Sequence, residues 1–413
     1  MKVSVLTLGC KANQAESLSI ETRLQTHGYR VVDLSEKPEL CIINTCSVTT
    51  KSDYQSRQLI RRACRAGAKV IVTGCYSELN RDYVQGMDGV TMVVSNANKL
   101  SIISELTGKT EDNTLDFGGQ NRARLFLKVQ DGCNYSCSYC IIPRARGRSR
   151  SLAVEAIIDQ INAASGTYNE VVLTGIHLGT YGYDLRPQVR LSNLLKKILS
   201  KTAIKRIRLS SLEITEVSDD LLDIIMDDRV CRHLHIPLQS GDDRILGLMN
   251  RAYSSGVFLR GIERIYSRIP DISIGTDVIV GFPGEGEVEF NNTKRLLEMV
   301  PFSYLHIFPF SPRPGTAASK MRMDGNPQAI NQRCAVLRGL GMLKKEDYMR
   351  KQIGKNLDLL IERRIDNNCC LGTTGNYLRV KAMIPHAAVR DIVHVRIDDY
   401  QSGLLIGNPI QPT

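Results

Sequence analysis

No apolar run in this chain approaches the roughly 20 residues that a membrane-spanning helix requires, and neither a long repeat nor a low-complexity segment interrupts the sequence. The first absence argues against a helical membrane anchor, the others against fibrous or disordered architecture. The opening residues, Met1 to Lys11, lack the long apolar region and cleavage site of a secretory leader. They read as a buried strand, and the expected location is cytoplasmic. Acidic residues are in deficit: 43 Asp and Glu face 54 Lys and Arg, giving a net charge of +11 and a pI near 9.1. That balance favours an anionic partner such as RNA, because clustered cations neutralise phosphates and release counterions. With 42% hydrophobic and 23% charged residues, the composition is that of a soluble, foldable protein. Its 413 residues exceed one typical core, so roughly two to three domains are expected, with no stable protein partner.

The fold class reads as α/β in three parts, over residues 1–112, 119–350 and 352–413. In the first, short apolar runs at Val3 to Leu8, Leu40 to Asn44, Val70 to Thr73 and Thr91 to Val94 alternate with helical patterns, the mark of a parallel sheet with crossover helices. A helix is expected from Ala15 to His27, capped by Asn13 and ended by Gly28. The polar stretch Thr107 to Asn121 suits a linker. In the second part the alternation occurs six times, with strands at Leu125 to Val129, Val171 to Thr174, Ile207 to Ser210, His233 to Ile236, Ile272 to Val280 and Ser303 to Phe308. Six βα units fall short of the eight that close a barrel, so a partial (βα)6 barrel working from the C-terminal ends of its strands is expected. A basic helix at Pro327 to Lys351 leads into a small β-barrel of about 60 residues.

Disulfides are not expected, since the cytosol keeps thiols reduced, so twelve cysteines raise the question of metal or redox chemistry. Cys133, Cys137 and Cys140 lie within eight residues, just past the first strand of the central part. Three thiolates can hold three irons of a cubane and leave the fourth open to a cofactor, whereas a structural zinc wants four protein ligands. A zinc loop with a distant fourth ligand is the competing reading, and the six βα units that follow disfavour it. Cys10, Cys46 and Cys75 each stand at or just beyond the end of a separate predicted strand. In a parallel sheet those ends share one edge, where such folds build their sites. Three unrelated core cysteines would not be expected to share that placement, which favours a second three-thiolate cluster. Gly9 and Gly74 permit close turns there. Cys41 and Cys64 read as small core residues, and Cys231, Cys334, Cys369 and Cys370 have no ligand spacing.

Beyond the later strands, Gly175, Glu213 and Gln239 are candidates for cofactor contact, with capping or turn roles as the alternative. His177, His233 and His235 show no metal-like spacing with an acidic partner and read as loop or core residues. Arg122, Arg124, Lys128, Arg144, Arg146, Arg148 and Arg150 crowd around the second cysteine motif, which suits contact with nucleic acid or an anionic cofactor.

The C-x3-C-x2-C spacing, with Tyr139 at its aromatic position, resembles the radical S-adenosylmethionine signature. Leu8-Gly-Cys-Lys-Ala-Asn-Gln14, Asn44-Thr-Cys-Ser-Val48, Ile142-Pro-Arg-Ala-Arg-Gly147, Leu173-Thr-Gly-Ile176, Leu209-Ser-Ser-Leu-Glu213, His235-Ile-Pro-Leu-Gln-Ser-Gly241 and Gly281-Phe-Pro-Gly-Glu285 extend the likeness over nearly the whole chain. Together they resemble the radical S-adenosylmethionine methylthiotransferases, most closely the branch acting on threonylcarbamoyladenosine beside the tRNA anticodon. Sister branches act on isopentenyladenosine in tRNA or on an aspartate of a ribosomal protein. The resemblance implies a 4Fe-4S cluster on each cysteine triplet, S-adenosylmethionine as cofactor near Tyr139, Gly175, Glu213 and Gln239, and an RNA-binding TRAM module for the C-terminal barrel. It further implies hydrogen abstraction from adenine C2 followed by C–S bond formation. A tRNA anticodon stem-loop is then the partner, with Arg144, Arg146 and Arg148 as candidate contacts and a flavodoxin- or ferredoxin-like protein as electron donor. An RNA-binding protein with a structural metal and no turnover is the non-enzymatic alternative.

Overall fold

The computed structural model describes residues 1–108, 122–323 and 325–410. Most of the expected linker, and with it the first domain boundary, lies outside them. Near the N-terminus β1 (Lys2–Thr7), β2 (Arg30–Val31), β3 (Leu40–Thr45), β4 (Lys69–Gly74) and β5 (Val90–Val93) form one parallel sheet in the order β2-β1-β3-β4-β5. β3 is buried at every position, which is why it reads as a continuous run rather than an alternation. Helices α1 (Lys11–Thr26), α2 (Thr50–Arg65) and α3 (Cys75–Leu79) follow β1, β3 and β4, three strands that are neighbours in the sheet. α1 starts earlier than expected, with Cys10 at its cap position. Asn13 is therefore inside the first turn rather than at the cap, and its amide donates to Leu8 O (2.7 Å) and Thr45 O (3.0 Å), tying the ends of β1 and β3.

In the central part β6 (Leu125–Lys128) leads into a short antiparallel pair, β7 (Gln130–Asp131) and β8 (Arg150–Ser151), which pinches the base of the cysteine loop. Then come β9 (Glu170–Thr174), β10 (Arg206–Leu209), β11 (His233–His235), β12 (Ser273–Val280) and β13 (Tyr304–Pro309). The six parallel strands form two sheets, β6-β9-β10 and β11-β12-β13. Backbone bonds from Cys231 N to Ile207 O (2.8 Å) and Leu212 N to His235 O (3.0 Å) join them across the seam. The result is the expected open partial barrel, with β6 and β13 as its edges. Leu18 of α1 belongs to the apolar core of this barrel, so the N-terminal part leans on the β6 edge. Among the described residues no helix is long and apolar enough to cross a membrane.

The third part is a closed barrel of β14 (Asn356–Arg364), β15 (Cys369–Thr374), β16 (Arg379–Met383), β17 (Ile392–Gln401) and β18 (Leu404–Pro409), in the order β14-β15-β16-β18-β17. It docks at the N-terminal ends of the central strands. Glu170, wholly buried at the start of β9, accepts from Arg206 Nε (2.5 Å) and Arg208 Nε (2.9 Å). The outer nitrogens of the two guanidiniums donate to the carbonyls of Asp358, Thr373, Thr374 and Gly375 at 2.9–3.0 Å. Arg124 adds an ion pair with Glu362. One carboxylate thus orients two forks that read the backbone of the small barrel.

Burial alone would raise the Glu170 carboxyl, but Arg208, Arg206 and Arg124 overcome it and hold it at about 2. Because the folded value lies below the unfolded one, the ion pairs contribute fully above about pH 4.5 and are lost as pH falls toward 2. Glu170→Ala strands two buried guanidiniums and is expected to cost about 3–5 kcal/mol, read by chemical denaturation at neutral pH, with the gap to the unmutated protein closing at low pH.

Candidate functional site

Cys46 and Cys75 directly follow β3 and β4, and Cys10 stands three residues past β1, so the sheet order brings the three to one edge. Glycine is required where the backbones meet. Gly74 has φ +105°, and a Cβ there would lie 2.3 Å from Thr45 N and O; Gly9 has φ +110°, and a Cβ would lie 2.9 Å from Cys46 Cβ and Sγ. Cys46 and Cys75 are buried and Cys10 is exposed. Burial pushes the Cys75 thiol up, opposed by Arg146 and Lys99.

The second triplet sits on a loop closed at its base by Gly132, whose φ is +72° and where a Cβ would lie 2.1 Å from Arg148 O, excluding any side chain. The Cys133 amide donates to Gly147 O (3.1 Å). From the far side of the barrel, Arg251 donates to Cys137 Sγ (3.3 Å), approaches the Tyr139 hydroxyl (3.5 Å) and pairs with Glu213. Cys133 Sγ lies 3.5 Å from His177 Nδ1, whose Nε2 pairs with Glu216 at 2.5 Å. Burial opposes charge on this imidazole, but the Cys133 thiol and the Glu216 carboxylate outweigh it and raise it to about 10. Burial pushes Cys140 up to about 12, so metal ligation there must release a proton.

The two triplets are joined by one side chain. Arg146 ends the helix Ile142–Arg146 that directly follows the cysteine loop. It is fully buried, and its Nε donates to Cys75 Sγ at 3.3 Å. Its Nη1 reaches Glu16 Oε1 (2.7 Å) and Asp131 Oδ1 (2.9 Å), and Nη2 reaches Asn13. Lys99 and Lys128 complete the cage around Glu16. Burial would raise the Glu16 carboxyl; Lys99, Arg146 and Lys128 hold it well below the usual range.

The donor sets fit iron–sulfur cubanes. Among the described residues the one group of three metal-ligating side chains drawn within 4.8 Å is His235, Asp277 and His306; neither cysteine triplet is that tight. A single tetrahedral zinc with Zn–S near 2.3 Å would bring its sulfurs to about 3.8 Å of one another, whereas a cubane gives each cysteine its own iron. A buried guanidinium on one sulfur of each triplet complements the negative charge of a thiolate-bound cluster. At the C-terminal ends of β9 and β10, the buried hydroxyls of Thr174 and Ser210 have no hydrogen-bond partner among the described residues, as befits the wall of a polar ligand site.

The other expected residues are dispersed around this centre. Tyr139 packs edge-on against Phe282 (6.4 Å) beside Arg251. Gln239, half-buried, holds φ +65°, a left-handed conformation that costs a non-glycine residue energy and tends to mark functional sites. Gly175 lies against Gln130, where a Cβ would come within 2.8 Å of Oε1; that oxygen accepts from His177 N at 2.7 Å. Its smallness thus seats a strut between two loops. Arg144 and Arg148 are exposed, but Arg146 is sealed in the cage and is corrected from an RNA contact to an internal tie. His177 and His235 also gain acidic partners that spacing did not show, Glu216 and Asp277. Arg251 went unread because the cysteine loop it meets lies more than a hundred residues away in the chain and Glu213 lies 38 away, on a different element. Glu16, a carboxylate on a face with Ala12, Ala15 and Leu18, was the available signal for a buried cation.

Residues 127–297 match the radical SAM superfamily and residues 2–95 the uncharacterized protein family UPF0004. The threonylcarbamoyladenosine tRNA methylthiotransferase MtaB of Aquifex aeolicus is 38% identical over 92% of this chain and 96% of its own length. The tRNA-2-methylthio-N(6)-dimethylallyladenosine synthase of Aliarcobacter butzleri is 31% identical over 99% of both. Among solved structures, the radical S-adenosylmethionine methyltransferase TsrM of Kitasatospora setae superposes with a TM-score of 0.56 at 14% identity, covering 77% of this chain and 76% of that one, a likeness of fold.

Arg146→Met leaves Glu16 and Asp131 short of a buried cation and is expected to destabilise the chain by about 3–5 kcal/mol. Bound iron should also fall from about eight per chain toward the four of a single cubane. Unfolding curves and anaerobic iron analysis read the two effects. Arg146→Lys should restore part of the stability but not the forked contact.

Proposed function

The chain belongs to the radical S-adenosylmethionine methylthiotransferases, in the threonylcarbamoyladenosine branch, and from that premise we propose how its residues divide the work of converting threonylcarbamoyladenosine in tRNA to the 2-methylthio derivative. The observation that carries the division is Arg146, which ties the cysteine loop of the central barrel to Cys75 of the N-terminal sheet. Bound to the protein, two 4Fe-4S clusters and S-adenosylmethionine supply radical formation, hydrogen removal from adenine C2 and the methylated sulfur, chemistry beyond any side chain.

Cys133, Cys137 and Cys140 would hold the cluster that supplies cofactor cleavage, and Cys10, Cys46 and Cys75 would hold the one that supplies sulfur. Arg251 and Arg146 each donate to a ligating sulfur, and such hydrogen bonds tune a cluster's potential. Glu213 holds Arg251 in place, Tyr139 braces the loop on Phe282, and Gln239, Thr174 and Ser210 line the cofactor's side of the barrel. The target base must leave its stack, at a cost of a few kcal/mol that is smaller in a loop than in a duplex. Arg144 and Arg148, exposed beside the loop, meet phosphates of an anticodon stem-loop and offset that cost. A flavodoxin- or ferredoxin-like protein delivers electrons.

Cys137→Ala should abolish reductive cleavage of S-adenosylmethionine. Cys10→Ala should retain cleavage to 5′-deoxyadenosine while forming no methylthio nucleoside. Equal loss of cleavage in both would contradict the division of labour. Mass spectrometry of tRNA nucleosides from a deletion strain tests the substrate: the methylthio form of threonylcarbamoyladenosine should disappear, and its persistence alongside loss of the isopentenyl counterpart would assign the sister reaction.

A further inference from the structure

One side of the central barrel's interior is lined by rings. Strand residues alternate faces, and on β13 Leu305 points outward against Gly341 of the helix Pro327–Arg350; Tyr304, His306 and Phe308 therefore face the lumen. Tyr304 lies over Gly275 of β12, where a Cβ would fall 1.9 Å from the ring. Its hydroxyl bridges His233 Nε2 (2.9 Å) and His235 Nδ1 (3.0 Å). The rings continue at centroid separations of 5.1 Å to His306 and 6.3 Å to Phe308, rising toward the strand end where the cysteine loops lie. Asp277 anchors His306 at 3.1 Å. At the floor Tyr377, from the turn between β15 and β16, stands 4.5 Å from His233. His306 and Phe308 are 53% and 43% exposed, so the upper rings are open to a ligand.

Lys11 reaches the same space. Its ammonium lies 5.5 Å from the Tyr377 ring, among Arg208, Arg124, Glu170 and Asp277. Each of these neighbours is committed: Arg208 to Glu170, Arg124 to Glu362, and Asp277 to two histidines. Lys11 makes no ion pair or hydrogen bond among the described residues beyond its contact with that ring. A mostly buried ammonium without a contacting anion is costly, and the nearby Glu170 and Asp277 carboxylates are engaged by other side chains. A carboxylate carried on a base supplies that anion, and the rings left open at His306 and Phe308 lead toward it.

We propose that this lumen receives the threonylcarbamoyl substituent of the substrate, its carboxylate pairing with Lys11 while the adenine stacks on the ring face of β13. The inference rests on the function proposed above and adds the group that recognises it. It also gives a reason for branch choice, since a neutral isopentenyl group would leave Lys11 buried and unpaired.

The test uses the full, anaerobically reconstituted protein and anticodon stem-loops carrying threonylcarbamoyladenosine or its methyl ester. The wild-type protein should prefer the free acid by about tenfold or more in kcat/KM; Lys11→Met should treat the two alike, and Lys11→Arg should keep a preference. His306→Ala and Phe308→Ala should raise KM for both substrates without changing their ratio. Equal use of acid and ester by the wild-type protein, or a preference that survives Lys11→Met, overturns the inference. Should Lys11→Met disturb the neighbouring Cys10, the wild-type comparison alone decides. If the wild-type protein acts on neither substrate but methylthiolates an isopentenyladenosine stem-loop, the functional reading falls, and this inference with it.

Discussion

The structure depends on a buried ionic cage: Arg146 from the cysteine loop, Glu16 from α1, Asp131 from the base of that loop, and Lys99 and Lys128 around them. Buried ion pairs add little net stability over apolar packing, because desolvation offsets most of the Coulombic gain, but breaking one is strongly penalised. A cage of that kind fixes geometry more than it adds free energy. Here it fixes the one geometry that the chemistry requires, since the same guanidinium that holds the two parts together donates to Cys75 Sγ. Position and electrostatics of one thiolate site are thereby set by a residue six positions past the last cysteine of the other.

The central barrel is held at both ends on the same principle. At the N-terminal ends of its strands, Glu170 aligns Arg206 and Arg208 on four backbone carbonyls of the small barrel. The C-terminal ends are left for the cysteine loops. Tyr377 at the tip of the β15–β16 turn crosses the boundary and becomes part of the lumen floor. The third part therefore contributes to the interior of the central one as well as covering its base.

Much of this was legible in the sequence. All six strands of the central barrel could be placed because each is a short apolar run between helical patterns; Cys133, Cys137 and Cys140 stood out by their close spacing, and Cys10, Cys46 and Cys75 because strand ends in a parallel sheet share an edge. Two strands of the small barrel, β15 and β18, carry no clear pattern in the sequence. In β15 every position is buried, so no alternation marks it, and β18 is broken by Gly407 and Asn408. The misread Arg146 shows the deeper limit. A local run of arginines looks like a phosphate-binding surface, and only the chain's return through α1 reveals a carboxylate waiting for one of them. Arg251 and Glu213 likewise meet from elements that no local pattern connects. Local rules locate the ligands of a site; the charges that tune it come from contacts distant in sequence.

The central claim is that the two cysteine triplets form one site held together through Arg146. Electron paramagnetic resonance of the reconstituted, dithionite-reduced protein tests it most directly. Two clusters built into one site should show mutual magnetic coupling, seen as broadening and faster relaxation that vanish when Cys10, Cys46 and Cys75 are replaced by alanine. A spectrum equal to the plain sum of two isolated clusters would contradict the account.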